Sequence, residues 1–223
     1  MPENTVSSKP SSEQINIALK DHQISIPDWE VSGLLGILHL WADRFNVEFK
    51  LNIPVPAIVV ERLRNNVYGH FWPGRNNWGI NHEIALNKVH IKSREMWQTL
   101  GTLLHELLHL QQEIYGKPPA STRFNYHNRQ YRDWALALGL LVDRWGHTSY
   151  LTANSPFLDL LVKFGVPVLP APNSENYQEA PQLLHSSKLK LWKCQCPVRV
   201  RVAIPDFHAR CLDRGGLFVK QEA

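Results

Sequence analysis

Residues 93–115 read SREMWQTLGTLLHELLHLQQEIY, followed by Gly116-Lys117-Pro118-Pro119. The run holds no proline and one glycine, Gly101, and then stops on Gly-Lys-Pro-Pro, so it predicts one long helix. Within it His105 and His109 are four residues apart, which places their imidazoles about 40° apart on one face, one turn from each other. Two ring nitrogens then reach one cation. Glu106, one residue along, is too far round to join easily as a ligand and is placed instead to deprotonate a water at that cation. Leu100, Leu103, Leu107 and Leu110 form the opposite side, and Leu104 and Leu108 flank the histidines. A helix this apolar is central, with its histidine side opening to a cleft. The chain's own His and Glu frequencies give on the order of 0.03 chance occurrences of the pattern, too few for accident to be the better explanation.

A catalytic zinc needs a third protein ligand and an open position for water. Three and six residues after His109 stand Gln112 and Tyr115, which excludes a short-spaced third histidine. Beyond Glu113 the next glutamate is Glu175, inside a proline-rich stretch and a poor rigid ligand. His127 remains, opening the next expected helix, with His147 and Asp133 behind it.

Outward from this helix the chain reads as α+β. Residues 1–24 are expected to be a loosely packed lead-in. A helix is expected from Pro27-Asp28 to about residue 47, with Trp29, Leu34, Leu35, Leu38, Trp41 and Phe45 at helical spacing. β-rich runs at 56–63, 67–72 and 83–91 suggest a small, mainly antiparallel sheet. Further helices are expected at 127–141 and 154–164, and the folded domain spans 25–165. Residues 166–187 carry Pro167, Pro170, Pro172 and Pro181 and read as a linker. From 188 to 223, Leu189, Leu191, Val198, Val200 and Val202 alternate with polar and basic residues, the pattern of half-exposed strands. Tyr68, Phe71, Trp72 and Trp78 are candidates for a substrate rim, and 83–91 for an edge that pairs with an extended peptide.

With 223 residues, 43% hydrophobic and 20% charged, collagen-like, mucin-like and disordered classes are excluded. No stretch approaches 18 apolar residues and the N-terminus lacks a secretory pattern, so neither a membrane partner nor export is expected. The three cysteines are too few for a disulfide framework, and the expected location is cytoplasmic or otherwise intracellular. The formal charge is +4, but from Ser186 onward eight basic residues face three acidic ones. Lys193, Arg199, Arg201 and Arg210 are therefore candidate contacts to nucleic acid, with Trp192 available for base stacking.

The sequence resembles the SprT-like (Spartan-related) zinc metallopeptidases. The likeness rests on His105-Glu106-Leu-Leu-His109, on His127-Asn128-Arg129-Gln130-Tyr131 where that family has His-Gly-x-x-Phe, and on a cysteine-bearing C-terminal module; it runs from about residue 30 to the end. It implies a zincin-like helical core, a zinc ion held by His105, His109 and His127, Glu106 as general base, and Tyr131 packing behind the third ligand. It also implies a protein or peptide substrate and a setting among DNA-associated proteins. The family's four-cysteine ribbon would place its last cysteine at Arg214, so Cys194, Cys196 and Cys211 lack a fourth partner; His208 is the best substitute and Asp213 a poorer one. A reading from another class is a nucleic-acid-binding protein whose zinc site is structural or idle.

Overall fold

The computed structural model describes residues 10–120, 127–151, 153–168, 189–196, 198–204 and 206–221. They fall into two compact units that divide between residues 171 and 172. The expected linker lies outside the described residues from 169 onward, as do residues 1–9 of the expected lead-in.

The rest of that lead-in is a helix. α1 (Ser12–Ser25) opens on a capping box in which the Ser11 side chain accepts from the Gln14 backbone and the Gln14 side chain accepts from that of Ser11. Its buried residues are the amides Asn16 and Gln23, so no apolar stripe announces it. Asn16 Nδ2 donates to the Val55 carbonyl at 2.9 Å and Gln23 Nε2 to that of Ile58 at 3.0 Å, while Glu13 accepts from Val55 N–H. These side chains stand in for a neighbouring strand. α2 (Ser32–Glu48) starts later than Pro27-Asp28 suggested and buries Leu35, Leu38, Trp41 and Phe45.

β1 (Ala57–Glu61), β2 (Gly69–Trp72) and β3 (Glu83–Asn87) form one sheet in the order β1-β3-β2. The expectation of a mainly antiparallel sheet fails for half the pairing, because β1 runs parallel to β3 with Ala57 opposite Glu83. β2 is antiparallel, Gly69 opposite Leu86. Sequence order put β2 between two strands that pair with each other, and nothing in the local pattern shows that. The 83–91 run also ends early: the Asn87 side chain caps a short α3 (Lys88–Ile91). β3 is the inner strand, paired on both sides, so it offers no edge to a peptide.

α4 (Met96–Tyr115) is the expected central helix. Leu100, Leu103, Leu104, Leu107, Leu108 and Leu110 are all completely buried, packed with the residues of α2 and the sheet in one core. The helix expected over 127–141 is shorter. α5 (Arg129–Ala137) is capped by Asn128, whose side chain accepts from the Tyr131 N–H at 2.8 Å. Gly139, with φ +92°, then turns the chain into a hairpin of β4 (Leu140–Val142) and β5 (Thr148–Tyr150). α6 (Pro156–Lys163) begins on a Ser155 cap with Pro156 in its first turn.

The second unit is a small sheet, β6 (Lys190–Lys193), β7 (Arg199–Val202) and β8 (Val219–Lys220), in the order β7-β6-β8. Trp192 is buried against Phe207, centroids 5.6 Å apart, so its ring is not available for stacking on a base.

Candidate metal centre

One turn of α4 carries His105 and His109 to the same face, and His127 arrives from the residue just before the α5 cap. The three Nε2 atoms converge: that of His127 is 3.0 Å from that of His105 and 2.9 Å from that of His109. An ion held tetrahedrally at about 2.05 Å from each nitrogen would set them about 3.3 Å apart, so the triad is within a few tenths of an ångström of a ligand set. Three imidazoles are the donor chemistry of zinc and its first-row neighbours. His105 and His127 are buried, and His109 is partly so. Burial holds all three below the ordinary histidine value, His109 at about 3 and His127 at about 4, with the rings' mutual repulsion acting next on His105 and His109. Neutral rings keep the lone pair a metal needs.

The rings are held from behind. Tyr131 is fully buried, stacks on His109 at 4.4 Å and meets His105 and His127 edge-on at 5.4 and 4.8 Å. Its hydroxyl donates to the His105 carbonyl at 2.9 Å. Thr148 Oγ1 lies 3.0 Å from His105 Nδ1. The Gly146 Cα backs onto His127 so closely that a Cβ there would sit 2.8 Å from Cε1 of the ring.

Glu106 is 5% exposed and makes no hydrogen bond to the described residues. Burial alone raises its pKa to about 8. A divalent cation at the histidines favours the charged carboxylate and works against that rise. β2 passes directly over it: a Cβ at Gly69 would be 2.9 Å from Glu106 Oε1 and 2.8 Å from the Thr102 methyl. Only glycine lets the strand lie this close to the carboxylate.

The alternatives to His127 are turned away. Asp133 is exposed and faces Arg129 at 3.7 Å, and His147 is exposed with Nδ1 2.9 Å from Asp143. Thr148, Gly146 and Gly69 were not found from the sequence. Each acts across a separation of 19 residues or more, and only the glycines carry any local signal.

In the second unit Cys194, Cys196 and Cys211 come together, with Sγ separations of 2.8 Å from Cys194 to Cys196 and 3.5 Å from Cys196 to Cys211. The Cys196 N–H donates to Cys194 Sγ at 3.3 Å. Tetrahedral zinc at about 2.3 Å from sulfur would spread thiolates to about 3.8 Å, so an ion would push the first pair apart. His208 is exposed and does not belong to this group, which corrects the expectation that it substitutes for the fourth cysteine; Asp213 and Arg214 are exposed as well.

Register puts Lys193 directly opposite Arg199, and Leu191 opposite Arg201, so Lys193, Arg199 and Arg201 share one face of this sheet. Arg210 is exposed near by, at its bridge to Leu217. None of the four forms an ion pair with a described residue. Among the described residues no helix is long and apolar enough to cross a membrane. Comparisons of the chain with models of protein families, with curated proteins and with solved structures found no match.

Proposed function

We propose that the chain is a zinc-dependent peptidase of the SprT-like kind, with His105, His109 and His127 as ligands and Glu106 as general base. The observation that carries this reading is the convergence of three imidazoles, two buried and one half-buried, beside a buried carboxylate with no hydrogen-bond partner among the described residues. A merely structural ion has no need of that carboxylate. Zinc there would polarise the scissile carbonyl and acidify the attacking water.

Glu106 does the proton work. With the cation beside it favouring the charged carboxylate, it takes the proton from the nucleophile and passes it to the amine nitrogen as the peptide bond breaks. The substrate backbone has a docking strand. β2 is the outer strand of its sheet beside α4, so an extended peptide can add to it by main-chain hydrogen bonds and bring its carbonyl over Glu106. This replaces 83–91 as the pairing edge. Trp72 follows on the same strand and Trp78 is 85% exposed in the loop after it, in keeping with an aromatic rim.

The polyanion reading of the second unit draws support from Lys193 opposite Arg199. Like charges directly across a strand pair cost stability, and a bound phosphate backbone removes that cost. DNA-associated proteins are then the substrate class, with Cys194, Cys196 and Cys211 holding a second zinc in the same unit.

The test compares the wild-type protein with Glu106→Gln for zinc content and for cleavage of a loosely folded protein, with and without single-stranded DNA. The expected result is one zinc equivalent retained at the histidines in both, and a loss of about 10²- to 10⁴-fold in cleavage in the variant. If both hold zinc and neither cuts, with or without DNA, the peptidase reading is lost and the nucleic-acid-binding reading takes its place.

A further inference from the structure

We infer that the β4–β5 turn, residues 143–147, together with Thr148 at the start of β5, is the positioning device of the metal centre, and that Thr148 is the residue that sets the tautomer of His105. This rests on the metal-site reading and goes beyond it, since it assigns roles to residues that touch neither metal nor substrate.

The turn is built around one carboxylate. Asp143 Oδ1 accepts from the backbone of Trp145 at 2.7 Å and of His147 at 3.0 Å, and Asp143 Oδ2 lies 2.9 Å from His147 Nδ1. The loop is thereby tied to itself, and three of its groups reach the histidines. The Arg144 carbonyl accepts from the His127 N–H, Gly146 lies flat against the His127 ring, and Thr148 Oγ1 meets His105 Nδ1. Gly146 has φ +93° and no room for a Cβ, so a side chain there is opposed twice, by backbone conformation and by the imidazole.

Hydrogen-bond direction makes the Thr148 contact informative. A threonine hydroxyl has one proton to give. Thr148 Oγ1 also donates to the Gly146 carbonyl at 3.3 Å, and a carbonyl can only accept. With its proton committed there, the hydroxyl must accept from His105 Nδ1, so the ring proton sits on Nδ1 and the Nε2 lone pair faces His127 and His109. The relay runs from His105 Nδ1–H to Thr148 O–H to the Gly146 carbonyl. One short turn thus fixes the orientation of the first ligand and the seat of the third, although they are 22 residues apart in the chain. Outer partners of this type are worth about 10- to 100-fold in metal affinity.

The experiment uses the full chain with Thr148→Val, which keeps the shape and removes the hydroxyl, Thr148→Ser, which restores it, and Thr148→Ala as a second deletion. Two quantities are measured: zinc affinity by chelator competition, and the His105 tautomer in the metal-free protein by long-range ¹H–¹⁵N correlation. The expected result is an Nδ1–H tautomer in the wild-type protein, and about 10- to 100-fold weaker zinc in the Val and Ala variants with Ser close to wild type. Wild-type affinity in both Val and Ala, Ser no better than Val, or an Nε2–H tautomer in the wild-type protein overturns the inference. If the wild-type protein binds no zinc the metal-site reading fails instead, and the tautomer measurement still decides the role of Thr148.

Discussion

The histidine centre and the cysteine cluster each bring three donors together, and they differ in what stands behind the donors. His105 and His109 ride on a 20-residue helix whose leucines are completely buried, and every ring of the triad touches Tyr131. Cys194 follows the four-residue β6, Cys196 lies in the loop before β7, and Cys211 follows the isolated bridge at Arg210, with the Cys196 N–H donating to Cys194 Sγ. Both histidine separations lie within a few tenths of an ångström of ligand spacing, as does Cys196–Cys211 at 3.5 Å, whereas Cys194–Cys196 at 2.8 Å falls about 1 Å short of it. Three donors mean an open site in the first case and an incomplete one in the second.

The sharpest way to break this comparison is to remove one donor from each. His109→Ala should weaken zinc at the histidine centre by more than the roughly hundredfold upper range of an outer-partner deletion and abolish cleavage. Cys196→Ser should remove a second equivalent of metal and leave the first in place. Equal losses of both ions from either change, read by metal analysis of the purified variants, would mean that the two sets are not independent.

Packing supplies the next largest effect. Leu107→Ala, in the stripe behind the histidines, should cost about 2–5 kcal/mol in denaturant unfolding and loosen zinc along with the fold. Trp192→Ala should cost a comparable amount confined to the second unit, without touching zinc at the histidines.

A pH effect of similar size resides in the first unit. His39 is buried with Nε2 3.0 Å from Gln23 Oε1, and burial holds its pKa at about 4 against 6.5 for a free ring. Between these values the unfolded chain binds a proton that the folded one refuses. Stability is therefore full above about pH 6.5 and falls as pH drops toward 4, by about 3 kcal/mol in total. His39→Gln should flatten that slope in urea titrations at matched metal content; an unchanged slope would place the acid sensitivity elsewhere. The smallest effect sharpens the His127 side: Asn128→Ala removes the α5 cap and should cost about 1 kcal/mol. Weaker zinc binding in the same variant would show that the cap also seats the third ligand.

How much of this was legible in the sequence depends on whether the signal was local. The 96–115 helix, its leucine face and the His105–His109 pair were readable because a period of 3.6 and a spacing of four are properties of neighbouring residues. His127 was reachable by elimination among few candidates. α1 was not, because it is attached by amides rather than by an apolar stripe. The parallel pairing of β1 with β3 was equally hidden, since strand order depends on long-range contacts. The β4–β5 hairpin was lost inside a run, Ala135 to Val142, whose apolar residues continue the helical pattern; only Gly139 marks the change. Thr148 was invisible for the reason that makes it useful, its partner lying 43 residues away.

The amides of α1 have a colloidal consequence. At Val55 and Ile58 they occupy backbone groups on the outer flank of β1, so a foreign strand finds that flank already taken. Two copies joined through β2 would use up the remaining border of each three-stranded sheet, and strand-to-strand growth through that sheet stops at a pair instead of running on into fibres.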